Sequence, residues 1–231
     1  MTLHKKSFQT RTLTAIIFAV VMLAGLLVNA WAFILLAIII LLGCLYEFYL
    51  ILRRIYPDTY LTYLPLALLY IALPIYLLID LGINIGLQDG THARFLVHRP
   101  LIPCAIIFSI WINDTMAYIV GSLFGKHSLS RISPNKTWEG TIGGIILCVV
   151  VITVGFSLIP QPYKLPWHWF NIAAISAVAG TLGDLLESKL KRRAGIKDSG
   201  SFMPGHGGFL DRFDSLLVAV PFVWLYVYLF I

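Results

Sequence analysis

Seven stretches of this chain are long, apolar and almost free of charge: residues 12–28, 31–52, 60–79, 100–120, 139–159, 168–189 and 209–230. A helix needs about 20 such residues to cross the hydrocarbon core of a bilayer. Inside that core every backbone N–H and C=O must be paired within the segment, which leaves helices or closed barrels as spanning structures. Runs this long point to helices. Only 12% of the residues are charged and 59% are hydrophobic, against about 25% charged in a soluble domain. The chain therefore reads as an all-α, polytopic membrane protein with about seven spans. We expect one membrane-embedded domain, with N-terminal spans over 1–99 and a catalytic core over 100–231.

The basic residues orient the spans. With the N-terminus in the cytoplasm and the spans alternating, 14 of the 17 Lys and Arg residues fall on the cytoplasmic side. Arg94, Arg99 and Lys164 fall on the other side. That asymmetry follows the positive-inside rule. It also accounts for the net charge of +6 without any nucleic-acid partner. Trp31, Tyr49, Tyr60, Trp138, Trp167 and Trp169 lie near span ends, as interfacial aromatics do. Residues 1–32 imitate a cleaved leader, but we expect a retained first span and a tight turn at Asn29–Ala30. Pro65 and Pro74 should kink or split the third span. Gly121/Gly125 and Gly140/Gly144 form small-xxx-small pairs suited to close helix packing. Cys44, Cys104 and Cys148 each stand alone in an apolar run, with no metal-site or disulfide spacing.

Against this background the stretch SKLKRRAGIKDSGSFMPGHGGFLDRFDS, 188–215, is out of place. It carries five basic residues from Lys189 to Lys197, a glycine-rich turn with His206, and two aspartates, Asp211 and Asp214. Just upstream, Asp184, Glu187 and Ser188 share one helix face by i, i+3, i+4 spacing. A carboxylate in a span costs about 2.5–3.5 kcal/mol on insertion scales, which makes it a functional suspect. Glu187 has a structural alternative in Lys191 at i+4, whereas Asp184 has no base at i±3 or i±4. Asp211 and Asp214 can serve as N-terminal helix acids, but that leaves the adjacent glycines unexplained. Successive glycines such as Gly207 and Gly208 let backbone N–H groups converge on an anion. Acids, bases and a glycine turn at one membrane face suit a polyphosphate with a divalent cation. Residue chemistry leaves two classes open: a membrane enzyme handling phosphates at the cytoplasmic face, or a transporter of an anionic lipid.

Two motifs are set aside. Asp89-Gly90-x-x-Ala93-Arg94 opens the CDP-alcohol phosphotransferase motif, but Pro103, Ile107 and Trp111 stand where it needs Gly, Asp and Asp. GSLFGKHS lacks the spacing and the hydroxyl residue of a phosphate-binding P-loop.

The 188–214 segment resembles the signature of phosphatidate cytidylyltransferases (CDP-diacylglycerol synthases). The matching positions are Ser188, Lys191-Arg192, Lys197-Asp198, Gly200, Pro204, His206-Gly207-Gly208, Asp211-Arg212 and Asp214; Met203 replaces the usual Leu, Ile or Phe. Further blocks resemble the same family: Asn113-Asp114-Thr115-x-Ala117-Tyr118, Gly121-x-x-Phe124-Gly125-Lys126, Ser133 to Gly140, and Gly183-Asp184-Leu185-x-Glu187-Ser188. The N-terminal third matches only as apolar spans and is shorter than usual.

The resemblance implies CTP and phosphatidate as substrates, CDP-diacylglycerol and pyrophosphate as products, Mg²⁺ with a second metal or monovalent ion, and a homodimer in the inner membrane. It implies Asp184, Asp211 and Asp214 as metal ligands. Ser188, Lys191, Arg192, Lys197 and Arg212 would meet phosphates, and Asp198 and His206 join this catalytic set. Asn113, Asp114, Lys126, Lys136, Glu139, Gly207 and Gly208 would shape the substrate side. The 133–137 segment can equally be an ordered loop capping a helix at Thr137. Related rivals are a CDP-archaeol synthase and a polyprenol kinase.

The basic asymmetry makes a topological prediction. A reporter fused after Ile231 is expected to behave as non-cytoplasmic; a cytoplasmic signal contradicts the seven-span reading.

Overall fold

The computed structural model describes residues 2–87, 94–160, 166–202 and 207–231. The chain divides into two compact units, Met1–Pro100 with Arg193–Phe213, and Leu101–Arg192 with Asp214–Ile231. The helices are α1 (Thr2–Leu27), α2 (Ala30–Ile55), α3 (Tyr60–Tyr63), α4 (Leu73–Gly82), α5 (Leu101–Phe124), α6 (Trp138–Ser157), α7 (Pro166–Arg193) and α8 (Leu210–Phe230).

Six segments are long and apolar enough to span a bilayer: Ala30–Ile55, Tyr60–Gly82, Leu101–Phe124, Trp138–Ser157, Pro166–Arg193 and Leu210–Phe230. These agree with six of the seven expected runs and make this an all-α, multi-pass membrane protein. The apolar part of α1, Thr12–Leu27, is shorter than the other six. Only 33–44% of each spanning window is buried within the protein. The remaining surface is largely apolar, with Leu42, Tyr76, Val150 and Leu229 among the exposed side chains. Such a surface belongs against lipid rather than water.

In the first unit, Asn29 caps α2. Its Oδ1 accepts from Ala32 N at 2.8 Å, which makes the expected turn after α1. The third span is split as its prolines demand: α3 gives way to a π-helical turn at Leu68–Ala72 before α4. The loop expected after that span contains a ribbon, β1 (Ile83–Leu87) and β2 (Arg94–His98), paired antiparallel with Ile83 opposite His98. Alternation in Ile83-Asn84-Ile85 carried this strand signal. Asp89, Gly90 and Ala93 of the discarded motif lie outside the described residues, as do Lys164 and His206.

In the second unit the glycine pairs act as expected. A Cβ on Gly140 would lie 2.6 Å from the Ala117 carbonyl oxygen and 2.8 Å from Gly121 Cα. One on Gly144 would lie 2.8 Å from Ala117 N. Such approaches exclude any side chain, so α5 and α6 meet backbone to backbone. Trp31, Trp138 and Trp167 are exposed, but Trp169 is only 1% exposed. It stacks near Phe156 at 5.1 Å between ring centroids. Its place is the core, because α7 turns that face inward with Ile172 and Ala173. The three cysteines are buried thiols.

Candidate active site

The site in the second unit begins with a glycine. A Cβ on Gly183 of α7 would lie 2.5 Å from the Asp214 carbonyl oxygen and 3.1 Å from Ser215 Cα. Only hydrogen fits there, so α7 and α8 touch at this level. The contact brings Asp184 and Glu187 of α7 to Asp214 of α8, with one carboxylate oxygen from each within 4.8 Å of the others. Glu187 is 0% exposed and Asp214 7%. The Asp214 Oδ1 accepts from Ser215 N at 2.6 Å.

Three acids this close need counter-charge in a poorly solvated setting. Lys191 Nζ lies 2.6 Å from Glu187 Oε2, the i, i+4 pair expected from the sequence. Lys136 Nζ forms an ion pair with Asp184 Oδ2, and its sequence distance made that pairing unreadable by local spacing. Burial pushes the Lys136 ammonium below its ordinary pKa, while the charges of Asp114, Asp214 and Glu187 pull it upward. Ser188 Oγ donates to Asp184 Oδ1 at 3.4 Å. Three carboxyl groups thus face two ammoniums. Hard carboxylate oxygens converging in this way fit a divalent cation such as Mg²⁺.

Lys136 arrives on the loop between α5 and α6, and that loop is built by ordinary hydrogen bonds. Thr137 is the N-cap of α6, its Oγ1 accepting from Gly140 N at 3.1 Å. Leu129 N donates to the Lys136 carbonyl at 2.7 Å, and Trp138 N to that of His127 at 2.9 Å. Glu139 Oε2 accepts from Lys126 N at 3.1 Å and His127 N at 3.2 Å. Its Oε1 lies 2.6 Å from His127 Nδ1. The 133–137 segment therefore is an ordered capping loop, and it also delivers Lys136 to the acids. Glu139 folds that loop, and Lys126 meets it through its backbone.

A cavity of about 400 Å³ opens beside this loop, lined by Asn113, Asp114, Tyr118, Asn135, Lys136 and Asp184 among others. Its volume falls within the usual range for small-molecule sites. Asn113 is buried and donates from Nδ2 to Thr181 Oγ1 at 3.3 Å. Of the residues expected on the substrate side, Asn113, Asp114 and Lys136 line the cavity.

The other expected residues belong to the first unit or its edge. Asp211 Oδ2 accepts from Ser199 N at 2.8 Å and Gly208 N at 2.8 Å, and Ser199 Oγ lies 3.0 Å from it. Gly207 has φ +83°, a left-handed conformation that disfavours side chains, and a Cβ there would lie 2.5 Å from Asp211 Oδ2. Lys197, Asp198 and Arg212 are exposed in this unit, and Arg192 is exposed at the end of α7. Glu187, for which the sequence offers either a place beside Asp184 or a pair with Lys191, has both. One acid escaped the sequence reading. Glu47, in the Ala30–Ile55 span, received no role. It is 4% exposed and accepts from Phe209 N and Leu210 N. An acid inside an otherwise apolar span was the available signal.

The model of the cytidylyltransferase family matches residues 98–230. The chain belongs to the cytidylyltransferase family. It is 48% identical over 123 residues to a phosphatidate cytidylyltransferase of Bacillus subtilis (strain 168), covering 52% of this chain and 45% of that protein. To one of Staphylococcus haemolyticus (strain JCSC1435) it is 47% identical over 135 residues, covering 58% of this chain and 48% of that protein. The chain thus spans about half the length of the curated relatives it matches. The family match holds the acidic trio, both paired lysines and the cavity; Glu47 lies before it.

The α7–α8 contact gives the next prediction. Gly183→Val places a branched side chain against the Asp214 backbone, a kind of overpacking that costs about 1–3 kcal/mol. The thermal midpoint should fall and the acids should separate. An unchanged midpoint in a detergent melt contradicts the close approach.

Proposed function

We propose that this protein transfers the cytidylyl group of CTP to phosphatidate, releasing pyrophosphate and forming CDP-diacylglycerol. The observation that carries this reading is a group of three carboxyl side chains, bracketed by two lysines, beside a polar cavity in a chain of this family. The chemistry suits the residues. Phosphatidate is already an anion near neutral pH and needs no strong base to act as nucleophile. Its phosphate oxygen attacks the α-phosphorus of CTP, and the bond from that phosphorus to the bridging oxygen of pyrophosphate breaks.

Asp184, Glu187 and Asp214 are the residues to hold a divalent cation. Bound there, such an ion supplies Lewis-acid stabilisation of charge on phosphate oxygens. Lys136 and Lys191 neutralise phosphate charge when a substrate draws them from their carboxylates. Asn113, Thr181 and Asn135 offer the cavity neutral donors and acceptors for a base or sugar. Buried α5–α6 backbone fixes one wall, so these groups are preorganised. A transporter would need its acids along a path across the bilayer, whereas Asp184 and Glu187 lie in the last third of α7 and Asp214 in the first third of α8. The basic asymmetry supports a site facing the cytoplasm of the inner membrane, where CTP is available.

Purified protein in mixed micelles of phosphatidate, given labelled CTP and Mg²⁺, should form labelled CDP-diacylglycerol. Asp184→Asn and Asp214→Asn should each lose about 100-fold in turnover, equal to ~2.7 kcal/mol in the barrier. No labelled lipid from the unmodified protein, at any Mg²⁺ concentration, overturns the proposal.

A further inference from the structure

Glu47 has no place in the chemistry above, yet both of its carboxylate oxygens are engaged by donors from a distant segment. It sits on α2 and is 4% exposed. Its Oε1 accepts from Phe209 N at 2.9 Å, and its Oε2 accepts from Leu210 N at 2.9 Å and Ser199 Oγ at 2.6 Å. The two backbone donors stand at the N-terminus of α8, where N–H groups have no partner within the helix. A carboxylate there also meets the positive end of the helix dipole. The loop is shaped around this side chain. A Cβ on either Gly200 or Gly208 would lie 2.2 Å from Glu47 Oε1. One turn earlier on α2, a Cβ on Gly43 would lie 2.4 Å from Phe209 Cγ. So Gly200 and Gly208 admit Glu47, and Gly43 of α2 admits the Phe209 ring.

The effect continues beyond Glu47. Ser199 Oγ lies between Glu47 Oε2 at 2.6 Å and Asp211 Oδ2 at 3.0 Å, and it accepts from Asp211 N at 3.3 Å. Asp211 in turn holds Ser199 N and Gly208 N. Ser199 and the stretch Gly208–Leu210 are thus held by two carboxylates that share one serine, and one of the two, Glu47, comes from α2.

We propose that Glu47 is a positioning residue for the reaction: it holds the glycine loop and the start of α8 in their working form, through contacts with Ser199, Phe209 and Leu210. The proposal rests on the cytidylyl-transfer reading for its activity arm. Glutamine tests it because a carboxylate accepts at both oxygens, whereas an amide presents N–H at one of them. Glu47→Gln therefore leaves at least one loop donor facing another donor.

The experiment compares unmodified protein, Glu47→Gln and Ile40→Val, a small core deletion on the same helix. Trypsin cleavage after the exposed Lys197 reads loop opening directly, since nicking follows the population of the open form. Nicking should rise about tenfold in Glu47→Gln, the size expected for one unmade buried hydrogen bond. In the same variant kcat should fall about tenfold, with a smaller change in KM for CTP. Ile40→Val should nick and turn over at the unmodified rates, even where its melting temperature falls as far. Equal nicking in Glu47→Gln overturns the inference, and so does increased nicking with full turnover. If the unmodified protein makes no CDP-diacylglycerol, the functional reading fails by itself. The nicking comparison then decides whether Glu47 holds the loop.

Discussion

The repulsion among Asp184, Glu187 and Asp214 governs the second unit. Carboxylates this close, two of them buried, are expensive to leave uncompensated. Lys191 answers from the next turn of the same helix. Lys136 answers from far away in sequence. That second answer explains much of the surrounding structure. Thr137 starts α6 where it does, Glu139 gathers the Lys126 and His127 backbone, and the loop doubles back so that Lys136 reaches Asp184. The glycine faces of α5 and α6 let the two helices ending in that loop run in contact.

A buried acid plays the opposite part in the first unit. Glu47 is surrounded by donors, so its charge is spent on backbone N–H groups and a serine. Asp211 is similarly engaged through Oδ2. The distinction is chemical. A carboxylate held by backbone donors organises chain, whereas carboxylates that face one another are balanced here by the side chains of two lysines. Asp211 and Asp214 are three residues apart in one helix, yet they fall on different sides of this distinction.

How far the sequence discloses this depends on the range of each interaction. Periodic and local signals were legible: the apolar runs, the turn at Asn29, the split at Pro65 and Pro74, the Thr137 cap, the glycine pairs and the Glu187–Lys191 bond. Partnerships across distant segments were not. Nothing near Lys136 points to Asp184, and nothing near Glu47 points to Phe209 and Leu210. Trp169 shows the same limit: its position near a helix start reads as interfacial, but the face α7 turns inward decides its burial. The ribbon at Ile83–His98 was hidden because a short alternation beside a span resembles any loop.

The central claim is that the acids of α7 and α8 form one cation site. It is tested most directly without substrate, by titrating detergent-purified protein with Mn²⁺ and following free Mn²⁺ by electron paramagnetic resonance. The account predicts saturable binding that Mg²⁺ displaces, weakened by about tenfold or more in Asp184→Asn and in Asp214→Asn. Binding of equal strength in the unmodified protein and both variants would contradict it.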